Sequence, residues 1–125
     1  MQNFKDFFVQ QNESDKQWLV IGKGPSFRRM RLEEVSNYHS ISLNHVIKEV
    51  AVLIAHIIDI DVLQGCSDAI YKNAKYLMLP LYPHVENKAT SKSLESFFSE
   101  YPILKLMDDE ERLLWYNSTT SRLWD

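Results

Sequence analysis

Short apolar runs, most of them cut off by a turn-forming or acidic residue, limit what this chain can fold into. Residues 17–21 end at Gly22, residues 40–43 at Asn44, and residues 50–58 at Asp59. Residues 75–79 stop at Pro80 and Pro83, and residues 113–116 form a last short run. Runs of this length, rich in branched side chains and bounded by Gly or Pro, read as buried strands. Apart from residues 40–43, Ser-Ile-Ser-Leu, they are apolar almost throughout rather than alternating, which is the pattern of parallel strands buried on both faces. Helical or loop segments separate them. Residues 2–12 carry Phe4, Phe7 and Phe8 at helical spacing, residues 27–35 suit a short helix, and residues 59–66 open another behind an aspartate. Residues 93–100 also suit a helix. The expectation is an α/β fold: a Rossmann-like three-layer α/β/α sandwich with four or five mainly parallel strands.

The chain has 125 residues, the size of one domain, and residues 1–125 are read as a single unit. Its formal net charge of −3 argues against a broad nucleic-acid surface, which needs a basic face. The longest apolar stretch, residues 50–63, contains His56, Asp59 and Asp61 and is too short and too polar to span a bilayer. The start lacks a basic segment followed by a long apolar one, so no leader is expected. Cys66 is the only cysteine, which excludes an intrachain disulfide and fits a reducing, cytoplasmic setting.

The turn after the first apolar run carries the clearest chemical signal. In WLVIGKGPSF, Gly22 and Gly24 flank Lys23, and Pro25 and Ser26 follow. In open α/β sheets ligands sit at the carboxyl ends of strands. Glycines there permit positive φ and close approach to the backbone, and a following helix N-terminus can hold a phosphate. Lys23 adds a cation and Ser26 a hydroxyl donor. The turn is not a P-loop, which needs G-x-x-x-x-G-K-[ST]. Phe27 stands where the dinucleotide fingerprint needs its third glycine, and Asn44 where it wants an acid. NAD and S-adenosylmethionine are therefore disfavoured, and a mononucleotide held through phosphate and ribose stays open. A plain Gly-Pro turn is the alternative.

GKGPSF after one strand, with SISLN closing the next, resembles the nucleotide-binding half of bacterial sialyltransferase-like glycosyltransferases. Gly22, Gly24, Pro25 and Ser26 match that family's turn, Asn44 matches its asparagine, and Lys23 replaces a second asparagine. The resemblance implies a nucleotide-sugar donor such as a CMP-sugar, a glycan acceptor, a role in bacterial surface-glycan synthesis, and no metal or other cofactor. Such enzymes are about twice this long, so the chain is expected to be a truncated glycosyltransferase lacking the catalytic second half. The competing expectation is a non-catalytic Rossmann-like domain that acts through self-association as a homo-oligomer.

Other chemistry-bearing residues are weaker signals. His84, in PLYPHV after the fourth strand, is the one candidate general base, since imidazole titrates near neutrality. Asp59 and Asp61 form a D-x-D that reads either as a metal-diphosphate site or as a helix cap or solvated acids. The four histidines have no zinc spacing. Arg28, Arg29 and Arg31 could extend an anion site or form a solvated face.

Overall fold

The computed structural model describes residues 1–23 and 31–117. Its centre is a six-stranded, wholly parallel sheet. The strands are β1 (Gln2–Asn3), β2 (Trp18–Ile21), β3 (His39–Leu43), β4 (Val52–His56), β5 (Ala74–Pro80) and β6 (Leu113–Tyr116). The fold is α/β and Rossmann-like, as the apolar runs predict. The sixth strand is the addition: β1 has only two residues, too few to leave a pattern in sequence.

The strand order is β1-β6-β5-β4-β3-β2. From β2 onward each strand is laid beside the last in one direction. Right-handed crossovers then place every later connection on the same face. That face is built from α2 (Leu63–Asn73), α3 (Pro102–Asp109) and short 3₁₀ turns at Leu32–Asn37, Asn44–Lys48, Ile60–Val62 and Leu94–Phe97. Val35, Ile47, Leu63, Ile70, Phe97 and Leu104 form one core there with Ile21, Ala55, Leu77, Leu79 and Leu113 from the strands.

The step from β1 to β2 runs the opposite way, from one edge of the sheet to the other. Its helix, α1 (Phe4–Gln11), therefore lies on the opposite face. Phe4 and Phe7 are buried there against Ile41, Ile54, Met78 and Leu114. The helix starts because Asn3 accepts a hydrogen bond from the Lys5 amide at 2.9 Å, an N-cap. Truncating one such buried phenylalanine to alanine costs about 3–5 kcal/mol.

Two helix expectations shift. The segment after β4 is a 3₁₀ turn before the helix proper begins at Leu63. In the 93–100 segment Leu94–Phe97 is a 3₁₀ turn and residues 98–100 are plain turn, and the helix forms at Pro102, its first residue. Proline there has no amide to leave unpaired and its φ suits the helix. The 27–35 segment lies partly outside the described residues; Leu32–Asn37 is a 3₁₀ turn. Among the described residues no helix is long and apolar enough to cross a membrane.

Candidate functional site

The carboxyl ends of β2, β3 and β4 form one rim. Ile21 pairs with Ser42, which sets Gly22 beside Leu43, and Leu43 pairs with His56. Gly22 and Asn44, far apart in sequence, thus follow neighbouring strands. Gly24, Pro25 and Ser26, with Arg28 and Arg29, lie outside the described residues. Lys23 is exposed.

The described part corrects one reason given for the glycines. No described glycine has a positive φ. A Cβ built on Gly22 would meet Leu43 Cδ1 at 3.7 Å, an ordinary contact. Neither the backbone nor the protein's own packing therefore requires glycine at 22.

Asn44 does occupy the left-handed region, with φ of 50°. Asparagine is among the few residues that tolerate it. Its Oδ1 is buried and has no hydrogen-bond partner among the described residues, and the same holds for Ser42 Oγ. Native structures pair nearly all such atoms, so two orphans at one strand end call for an explanation.

His84 lies beyond β5, in a segment held to the continuation of β4. Its amide donates to the Ile58 carbonyl at 3.1 Å, and its carbonyl accepts from the Ile60 amide at 2.8 Å. The residue is half-buried. The structure thus fixes the His84 backbone past the end of β4, two strands from the Gly22 turn.

Asp59 stands at the N-cap position of the Ile60–Val62 turn but its side chain makes no cap bond, and both aspartates are tied to a loop instead. Asp59 Oδ1 accepts from the Asn87 amide at 3.0 Å, and Asp61 Oδ1 from the Glu86 amide at 2.9 Å. Glu86 and Asn87 both have positive φ, so the two carboxylates hold a strained turn by its amides. Among the described residues no group of three or more His, Cys, Asp or Glu side chains could hold a metal ion.

A pair that residue-by-residue reading missed stands on the same rim. His56 Nε2 and the Tyr116 hydroxyl are 2.7 Å apart, joining the ends of β4 and β6 across β5. His56 is only 7% exposed. Desolvation lowers its pKa to about 4, and desolvation pushes the Tyr116 phenol up to about 12. Both are neutral at pH 7. The available signal was a lone histidine inside an otherwise apolar run.

The remaining candidates lie elsewhere. His39 is at the amino end of β3, 2.9 Å from Ser14 Oγ and with its ring 4.9 Å from that of Trp18. His45 Nδ1 is 3.6 Å from Cys66 Sγ. Burial raises the Cys66 thiol pKa, with nearby Lys48 opposing, which suits a buried small residue rather than a nucleophile. Arg31 is exposed and 3.8 Å from Glu34. Comparison with protein-family models, with curated proteins and with solved structures gives no match.

Proposed function

We propose that the chain binds a nucleotide sugar, of the CMP-sugar kind, as the donor-binding part of a sialyltransferase-like glycosyltransferase of surface-glycan synthesis. The observation that carries this reading is the adjacency of Gly22–Lys23 and Asn44 at neighbouring carboxyl strand ends, with Asn44 Oδ1 buried and without a partner among the described residues. A ligand hydroxyl or amine would satisfy that acceptor. Glycine at 22, which the fold itself does not require, leaves room for a phosphate to approach the backbone. The donor's phosphate would rest on the 22–26 turn with Lys23 and Ser26, and Asn44 would take the ribose. In transfer, the acceptor oxygen bonds to the anomeric carbon while the bond from that carbon to the phosphate oxygen breaks. The phosphate leaves with the electron pair and a base takes the acceptor's proton; His84, the candidate from sequence, is held two strands from the Gly22 turn and would serve only if the donor sugar folds back toward β4.

Isothermal titration with CMP, UMP, CDP and UDP tests this, beside a Lys23→Ala, Ser26→Ala double variant. Binding of one nucleotide that weakens at least tenfold in the variant supports the reading. No binding by any of them removes it. A second reading, self-association without chemistry, draws on Tyr71 and Leu106, both 41% exposed and lining one shallow apolar groove between α2 and α3. A dimer in sedimentation together with silent titrations would favour it.

A further inference from the structure

The face of the sheet covered by α1 is apolar except at its two ends. His39 marks the amino end and is held by Ser14 and Trp18. His56 and Tyr116 mark the carboxyl end. Burying an imidazole beside Met78 costs free energy unless both ring nitrogens find partners. Here one does. The only acceptor that the Tyr116 hydroxyl meets among the described residues is His56 Nε2. With the phenol as donor, Nε2 accepts and the neutral ring carries its proton on Nδ1. No described residue accepts from that Nδ1–H. The pair therefore leaves one uncharged donor without a described partner, and it is not among the fully buried unpaired atoms, so it is open to a ligand at the rim.

Its position along the rim is specific. Leu43 lies between Gly22 and His56 in the register, and all three positions point to the same face. Parallel strands are about 4.8 Å apart, so His56 lies roughly 10 Å from Gly22, with Asn44 between them. That order matches the parts of a nucleotide: phosphate at the end of β2, ribose at β3, base at β4.

We propose that His56, oriented by Tyr116, reads the base of the bound nucleotide by donating Nδ1–H to a ring carbonyl oxygen of a pyrimidine. This rests on the nucleotide reading above and adds the residue that would separate a nucleotide from a bare sugar phosphate. Tyr116 is a positioning residue: it fixes which nitrogen carries the proton. A neutral donor suits an uncharged carbonyl, whereas the phosphate already has Lys23.

The test uses CMP, UMP and ribose 5-phosphate as probes, with the full chain labelled with ¹⁵N-histidine. In the unliganded protein, the Nδ1-protonated tautomer of His56 is expected. Addition of the binding nucleotide should shift the His56 Nδ1 resonance, and ribose 5-phosphate should leave it in place. His56→Gln should weaken the nucleotide about 3- to 10-fold, the worth of one neutral hydrogen bond, and leave ribose 5-phosphate unchanged. Tyr116→Phe should mix the His56 tautomers and weaken the nucleotide less. The labelled wild-type spectrum decides the matter even where the His56→Gln chain does not fold. A nucleotide that binds without moving the His56 resonances overturns the base-reading role and leaves the phosphate site standing. Absence of binding by all three probes overturns both.

Discussion

The two ends of the sheet treat their polar groups differently. At the amino end they are closed off. Arg112 donates to the carbonyls of Tyr71, Lys75 and Ala74 at 2.7 to 3.0 Å, and its Nη1 is 2.9 Å from Glu110. Its guanidinium also lies 4.8 Å from the centre of the Tyr71 ring. Ser40 Oγ accepts from the Leu53 amide, and Ser14 meets His39. At the carboxyl end the aspartates are tied to loop amides, but several groups stay open: Ser42 Oγ and Asn44 Oδ1 have no described partner, and His56 uses one nitrogen. The same strands, β3 and β4, carry both kinds. One end is built to hold the fold, and the other leaves hydrogen-bonding capacity unspent, as a binding edge must.

Breaking the closed end should hurt most. Arg112→Ala removes several charge-assisted hydrogen bonds from one half-buried side chain and should cost about 3–4 kcal/mol in urea unfolding. Nucleotide affinity of the folded protein should not change. An equal loss of affinity would show that the ends are not separate in function.

Acid should expose the cost of the open end. The His56 pKa is about 4 in the folded protein, against 6.5 for an ordinary histidine. Between those values the unfolded chain binds more protons, so stability falls as pH drops from 6.5 and the loss levels off near 4. The full loss is about 3 kcal/mol. Urea titrations across that window should show the slope, and His56→Gln should flatten it. A slope that survives the substitution would assign it to other groups.

Tyr116→Phe is the next smaller test. It leaves the His56 ring without its described partner and should cost about 1–2 kcal/mol at pH 7. It should also remove Tyr116's share of the stability lost above pH 10, where the unfolded phenol ionises before the buried one near 12.

Gly22→Ala sharpens the comparison with the smallest effect on folding. A Cβ there makes ordinary contact and the φ is not left-handed, so stability should hold or rise by about 0.5–1 kcal/mol. Nucleotide binding should weaken at the same time. Better stability with unchanged binding would remove Gly22 from the proposed site.

The strands were readable because burial on both faces writes a continuous apolar run, and Gly22, Asn44 and Pro80 punctuate the ends. β1 was not readable, since two residues make no pattern and its partner is the last strand. The helix at Pro102–Asp109 left a signal that went unused, Pro102 followed by Ile103, Leu104 and Met107 on one buried side. The Gly22–Asn44 neighbourhood follows from a parallel pair in register. The His56–Tyr116 pair spans 60 positions and depends on the register of three strands, which composition and spacing do not supply. Asp59 and Asp61 misled because their partners are main-chain amides of a loop, which carry no residue identity.

The pairing of β1 with β6 has a consequence for how the protein is made. The first strand emerges from the ribosome more than a hundred residues before its partner, and Leu114 belongs to the floor on which Phe4 and Phe7 rest. At synthesis rates of about 5–20 residues per second, the aromatic side of α1 waits roughly 6 to 22 seconds for that floor. The rest of the sheet can be laid down in order as it appears. The amino-terminal segment is the last to be locked, by the first residue's ammonium on Asp108 and by β1 along β6. Nascent chains stalled before β6 should therefore expose these phenylalanines to chaperones that bind aromatic segments, and chains stalled after it should not.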